Sequence, residues 1–556
     1  MTTRRTFLAG TALAATLEAG RAVAQQAGDR IRKIVILSDP QAAAPAAYQA
    51  AQLTAQAWRQ LGLEVDVRPM PRQQQSQIVW YERQRWDTTV WRMVGRPERS
   101  DPDELIYNLF HSSTANAGFN FVGYTNPDYD KVAEAQRKAI DVAERKRLID
   151  EAQKLIDRDQ PYAFLVHPQN IGAFNKTVWD PASIVAQSGV SIRNFWTFIG
   201  AAPLGAQKTM VLNARFNLIA IHPLYVSGAT DSWVTDLIWD RLARVGADGL
   251  PRPWAAESIV AEGERTFNVV IRDGMKWHDG RPVTVDDVIF SFEAPAQGNK
   301  VPMYKPFVAD IAKVERTGDR SIRFTLTQPN ASFVTSTLAK INLVPKHVWE
   351  PVLADLANKP ENVEQIRDPS TIGSGPFRMV RARLNEEVVL DRFADHWAAP
   401  KMDRWILRIV LNPEATMGML RSGEINFLAD YGGDPEVLMQ LAQQNPNIDV
   451  RREVDIGFEF IAFNNRRAPF NDPNFRRALS MAIDRNVMVQ AAWNGFAVAA
   501  NSHVSPALKA WHSAAVDNPR SGVPVARQIL EQAGYRVVGN RLHYPAGGKE
   551  ALQPGE

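Results

Sequence analysis

Three arginines, Arg92, Arg96 and Arg99, crowd a short stretch that begins at Trp91 and ends on Asp101-Pro102-Asp103. A guanidinium is a flat fork of donors that grips a carboxylate or a phosphate through two parallel hydrogen bonds. Two roles are open: an anion-binding site, or ion pairs with the neighbouring Glu98 and Asp101, the second being the more expected. Trp91 offers a stacking surface for a ring or sugar, or a filler for the core, and its position does not decide between them. Asp279, Asp286 and Asp287 have the makings of a carboxylate cluster. Thr284 beside them fits a helix N-cap, however, and acids in a first helical turn are favoured by the helix dipole. Capping is the expected role of this group.

Catalytic signatures are missing. The 556 residues include no cysteine, which excludes disulfides, thiolate catalysis and zinc–thiolate or iron–sulfur sites. There is no Gly-x-Ser-x-Gly elbow, no His-Glu-x-x-His and no phosphate loop, and the nine histidines are scattered singly. Neither an enzyme, a metal site nor a bound cofactor is expected. Lys and Arg total 64 against 61 Asp and Glu, a balance unlike that of a nucleic-acid binder. Fifteen tryptophans are an unusual wealth.

The first residues read as an address. Arg4-Arg5 precedes Phe7-Leu8 and a mild apolar run to Leu17, and Ala22-Val23-Ala24 is a small-x-small cleavage site. This is a twin-arginine export signal over residues 1–24, too short to span a bilayer. Removing Arg4, Arg5, Arg21 and Glu18 takes the net charge from +3 to +1. An exported, soluble periplasmic protein is expected. The twin-arginine route often carries folded cofactor enzymes, so that class stays open at this point.

The elements that must position these residues alternate. Residues 31–37 are β-branched and end on Ser38-Asp39-Pro40, a strand and turn; 45–60 has helical spacing; 61–67 gives a helix stop and a strand. Residues 127–160 form one long amphipathic stretch. Residues 200–208 are small and Pro/Gly-bearing without periodicity, which predicts a linker, and Thr209 starts a fresh strand. Strand patterns recur at 266–271, 322–326 and 404–411, and helices are predicted at 474–492 and 523–533. The fold class is α/β with mixed sheets.

Ile271-Arg272-Asp273-Gly274-Met275-Lys276-Trp277-His278-Asp279-Gly280 leads into Asp286-Asp287-Val288. Ile372-Gly373-Ser374-Gly375-Pro376-Phe377 and Ala394-Asp395-His396-Trp397 follow. Next come Pro469-Phe470-Asn471-Asp472, Phe475-Arg476-Arg477-Ala478-Leu479 and Ala482-Ile483-Asp484-Arg485. This succession resembles the bacterial extracellular solute-binding proteins of family 5, the peptide- and nickel-type receptors of ABC importers. The resemblance covers almost the whole expected mature chain. It implies a two-lobe periplasmic-binding-protein type II fold that closes over a small organic or peptide-like ligand and delivers it to an inner-membrane permease. A monomer is expected, with no nucleic-acid partner. A receptor for a metal chelate or redox cofactor is the alternative.

The order of blocks departs from the family. Trp91, Asp101-Pro102, Asn120–Tyr124 and Asp159-Gln160-Pro161 resemble its late blocks, yet they come first. The resemblance therefore implies a circular permutant, with old ends joined through 200–208 and new ends cut between 541–545 and 31–37. A linker of about eight residues reaches about 28 Å, enough for neighbouring termini. The first lobe would then run from 165 to 458, including a subdomain, and the second would combine 30–164 with 459–544. Segments 31–37 and 541–545 are expected to pair as neighbouring strands.

The resemblance also nominates contacts. Asp101, with Asp103 as runner-up, would meet a ligand amine, and Phe119 and Asn120 would line the pocket. Trp91, Arg92, Arg96, Phe216, His222, Tyr431 and Asn464 complete the candidate set. His222 stands where the family has an Asp, and a structural replacement is its more expected role.

Overall fold

The computed structural model describes residues 27–549 apart from 117, 226–228 and 518, so the expected export signal lies outside the described residues. Twelve strands make one large sheet: β1 (Ile34–Ser38), β2 (Val65–Pro69), β3 (Thr88–Met93), β4 (Tyr162–Asn175), β5 (Thr209–Ala214), β6 (Phe377–Arg383), β7 (Glu387–Arg392), β8 (Arg404–Ile409), β9 (Phe427–Leu428), β10 (Ile448–Val454), β11 (Phe458–Phe463) and β12 (Ala497–Ala499). Their order is β6-β7-β8-β5-β9-β4-β11-β3-β1-β2, with β10 and β12 also paired to β4. β1 runs parallel to β2 and β3, and β5 runs parallel to β8 and β9; the other pairs are antiparallel. This is the expected α/β class with mixed sheets.

The sheet is really two halves sharing one strand. The first half of β4, through Pro168, pairs with β11 and β12, and the rest, from Gln169, pairs with β10 and β9. β10 leads into β11 through Asp455-Ile456-Gly457, so this segment crosses between the halves beside β4. Each half has its own cores, and this makes two lobes. Alternation along β11 sends Ile461 and Phe463 to a core with Ile36, Trp58 and Leu479, and Phe458, Phe460 and Ala462 to another with Leu105, Tyr129 and Tyr162. A strand apolar on both faces belongs inside a covered sheet. In the other lobe, Leu212, Trp405 and Phe427 pack on one side of the sheet, and Val211, Leu428 and Leu441 on the other. A four-stranded antiparallel sheet over residues 256–326 builds a subdomain around Trp277, Phe324 and Trp349.

Several expectations are corrected by local chemistry. The stretch 127–160 is two helices, Pro127–Lys138 and Val142–Asp159, because Asp141 accepts a hydrogen bond from the Glu144 N–H and starts a new helix. Likewise 474–492 divides into Pro473–Met481 and Arg485–Trp493, where Asp484 caps the second. Within segment 31–37 only Ile31 meets 541–545; Ile34 and Ile36 are fully buried, and β1 goes to the sheet interior between β2 and β3. The chain does meet itself just upstream. The Gly28 and Ile31 N–H groups donate to the Tyr544 and Leu542 carbonyls, both at 3.0 Å. Tryptophan serves mainly the cores, where Trp58, Trp179, Trp239, Trp277, Trp349 and Trp405 are fully buried.

The Asp455–Gly457 crossing is tightly tied. The Asp455 N–H donates to the Pro168 carbonyl at 2.8 Å, the Ser505 hydroxyl donates to the Asp455 carbonyl at 2.7 Å, and His167 Nδ1 is 2.9 Å from the Gly457 carbonyl. Burial pulls the His167 pKa down to about 4, so the ring is neutral and its Nδ1–H is the donor. A Cβ on Gly457 would lie 2.2 Å from the Met93 carbonyl oxygen and 2.6 Å from the Gly95 nitrogen, both backbone atoms. Gly457→Ala is therefore expected to cost about 1–3 kcal/mol of folding free energy, measured by denaturant unfolding.

Candidate functional site

In α/β sheets, ligands gather beyond the carboxyl ends of parallel strands. Here those ends carry charge. β1 is followed by Asp39, β5 by Arg215 and β9 by Asp430. The crossing adds Asp455, β3 contributes Arg92, and β11 contributes Glu459. All four carboxylates are buried.

These groups form a chain of alternating sign from one lobe to the other. Arg215 Nε donates to Asp430 at 3.1 Å, and Arg193 Nη1 lies 3.8 Å from the same carboxylate. The charge of Asp455 also reaches Arg193. Asp455 accepts the Gly457 N–H at 2.9 Å on one oxygen and Arg92 Nη2 at 3.1 Å on the other. Arg92 Nε is 3.5 Å from Glu459, and Arg72 pairs with Asp39. Arg72 also lies over the Trp91 ring, 4.2 Å from its centroid. Trp91 is half-buried and packs on Trp80, which meets Phe119 edge-on at 5.7 Å.

Glu459 is the anomaly in this chain. It is a single carboxylate in the apolar run Phe458–Phe463, and burial pushes its pKa up to about 7 against the pull of Arg92 and Arg72; Asp455 and Asp39 push the same way as burial. Desolvation works to lower the Arg92 pKa, but Glu459 and Asp455 outweigh it, raise the pKa and hold the guanidinium protonated.

The nominated residues fall into three groups. Trp91, Arg92, Phe119, Phe216 and Tyr431 lie on or beside this chain of charge; Phe119 and Phe216 are exposed and Tyr431 is partly buried. Arg96 is exposed and makes no ion pair among the described residues. The others serve the fold. Asn120 donates to the Phe110, His111 and Tyr124 carbonyls, and Asn464 donates to the Arg83, Gln84 and Trp86 carbonyls. His222 is buried, accepts the Leu224 N–H at 2.9 Å and packs on Trp349; burial lowers its pKa to about 4. Asp101 is corrected too: both its oxygens are taken by Arg145, at 2.6 and 2.8 Å, which leaves no free carboxylate for a ligand amine. Asp103 is held by Gln136 and Arg137.

Asp101 pairs with none of the three neighbouring arginines, and two of these find partners further off. Arg92 reaches across the sequence to Asp455 and Glu459, and Arg99 pairs with Glu104 at 2.8 Å. The Asp279, Asp286 and Asp287 group does cap and pair: Thr284 and Asp287 form a reciprocal capping box, Asp286 meets Arg316, and Asp279 meets His347. Asp39, Arg193, Arg215, Asp430, Asp455 and Glu459 escaped nomination. A charge directly after an apolar strand, as at Asp39 and Arg215, or alone inside one, as at Glu459, was the signal that could have found three of them.

A raised carboxyl pKa favours the protonated form in the folded state. The Glu459 contribution is therefore fully present below its ordinary value of 4.5 and is lost as pH rises through about 7. Glu459→Gln is expected to be more stable than wild type above pH 7, with the difference shrinking toward pH 5. Melting curves of both proteins across that range check this.

Comparison with known proteins places these features in context. Residues 251–552 match the family model described as bacterial extracellular solute-binding proteins, family 5 Middle. The chain is 28% identical over 290 residues to the oligopeptide-binding protein AppA of Bacillus subtilis, covering 50% of this chain and 51% of that one. It is 26% identical over 324 residues to the periplasmic oligopeptide-binding protein OppA of Salmonella typhimurium, covering 54% and 58%. The chain thus spans about half the length of the curated relatives it matches. The structure of Bacillus subtilis AppA in complex with a nonapeptide aligns over 60% of this chain and 66% of that one, with 22% identity and a TM-score of 0.45. With more than half of its length matched by the family model, the chain belongs to the bacterial extracellular solute-binding proteins of family 5.

Proposed function

We propose that this protein is a periplasmic receptor of an ABC importer, binding a peptide-like solute between its lobes and presenting it to an inner-membrane permease. The observation that carries this is the chain of paired charge lying across the two-strand crossing, at the carboxyl ends of strands from both lobes. A ligand seated there touches both lobes at once, and such contacts drive closure. Binding rather than chemistry is the task. Family membership supports it, and the oligopeptide-binding relatives favour a peptide-like solute. No helix among the described residues is long and apolar enough to cross a membrane. Export by the twin-arginine route belongs to the same proposal and rests on Arg4-Arg5 and the cleavage site. A mixture of free tri- to pentapeptides should raise the melting temperature without being consumed. At a concentration a hundred times Kd the gain is about 2.7 kcal/mol. Hydrolysis of the peptides, or no shift at millimolar concentration, would refute the assignment.

The permuted order is part of the same proposal, with lobes at 165–458 and at 30–164 plus 459–544. Support comes from the contact between residues 28–31 and 542–544, and from one core that holds both Ile31 and Tyr544. The loop at 204–207 is exposed between the helix Phe195–Gly200 and β5. A variant reconnected from 548 to 28 by a short Gly/Ser loop and opened at 204–207 should fold to the same far-ultraviolet spectrum and bind the same peptides. An unfolded or inactive product counts against permutation.

A further inference from the structure

Some buried arginines in this protein spend several donors on backbone carbonyls. Arg476 donates to the Asp159, Gln160 and Phe470 carbonyls, and Arg485 to those of Phe164, Ala500 and Ser480. Arg193 does not. Its side chain is a quarter exposed, its Nε is enclosed without a partner, and its guanidinium makes no hydrogen bond among the described residues. The nearest carboxylate, Asp430, is 3.8 Å from Nη1, beyond hydrogen-bond reach. Burial lowers the Arg193 pKa, and the Arg215 charge adds to that. An enclosed donor without an acceptor is costly and calls for an explanation.

The position is built, not accidental. The Gln187 and Ser191 backbones hydrogen-bond to each other in both directions, and Ser191 takes a positive φ of 75°. Gly189 presses on Ile456 of the crossing so closely that a Cβ would meet its side chain at 1.9 Å. The guanidinium itself lies over Trp233, 4.3 Å from the ring centroid. It is thus fixed in place at the crossing with its donors unspent. Arg215 shares Asp430 with it and has its own Nη groups beyond the single Nε bond. Asp430 faces both guanidinium groups, and Asp455, whose charge also reaches Arg193, is hydrogen-bonded to Arg92, so Arg193 keeps no hydrogen-bonded counter-charge of its own.

We infer that Arg193 and Arg215 form a first-lobe subsite for a carboxylate group of the solute. A single negative charge answers Arg193, whereas a phosphomonoester, at about −1.5 to −2, would over-neutralise it. The inference deepens the receptor assignment and rests on it. Arg193 would give the ligand the bidentate bonds it lacks in the protein, and a closing lobe would strengthen them by excluding water.

The test compares two probes on the full chain: tri- to pentapeptides with free C-termini, and the same peptides as C-terminal amides. Wild type should bind the acids about ten- to a hundredfold more tightly. Arg193→Met should erase that preference, yet melt at the same or a higher temperature without ligand, because it removes a guanidinium whose enclosed Nε has no partner. Arg215→Met, at a 41% exposed position, should weaken the preference in a fold left intact. Equal binding of acids and amides by wild type, a preference that survives Arg193→Met, or a ligand-free melting temperature lowered by Arg193→Met would each overturn the subsite. The last would make Arg193 a structural partner of Asp430. If phenyl phosphate displaces the acids at lower concentration than benzoate does, the carboxylate assignment fails. If wild type binds neither peptide set, the receptor assignment falls and the subsite falls with it.

Discussion

The Asp455–Arg92 pair is the contact on which the rest depends. Asp455 stands where β10 becomes β11 and crosses between lobes, and Arg92 projects from β3 of the second lobe. The crossing is backed by neutral His167 and by close backbone contacts that only Gly457 permits. A charge placed there cannot retreat to solvent, so it must be answered by another. The answer propagates outward: Arg92 meets Glu459, Arg72 meets Asp39, and on the other side Arg193 and Arg215 meet Asp430.

This chain of charge is not arranged for maximum stability. Glu459 has its pKa raised and Arg193 has its pKa lowered, so both are held in environments that disfavour their charged forms. The Asp101–Arg145 pair, with both carboxylate oxygens bonded, is by contrast fully answered. Both groups stand close to the Asp455–Gly457 crossing, Glu459 two residues beyond it and Arg193 within reach of the Asp455 charge.

Much of the scaffold was legible in the chain itself. Pro45 and the alanine-rich stretch after it set the helix Pro45–Arg59, Thr284 sets its capping box, and the alternation at 266–271 and 322–326 gives the subdomain sheet. Breaks inside long amphipathic stretches were missed because one polar cap, Asp141 or Asp484, outweighs a continuous apolar pattern. The site was less legible. Arg92 and Asp455 are 363 residues apart, and no local pattern reports such a pairing. The resemblance nominated Asn120 and Asn464 for the pocket, yet both spend their amides on buried backbone carbonyls, while His222 has the structural role expected of it.

The central claim is that two lobes joined at this crossing close on a solute. The absence of native cysteine makes a direct distance measurement simple. Spin labels on Tyr81→Cys and Leu411→Cys would sit at positions 76% and 64% exposed, one on each lobe. Saturating short peptides should shorten the distance between the labels and narrow its distribution. Bound peptide with an unchanged distance would contradict closure about Asp455–Gly457.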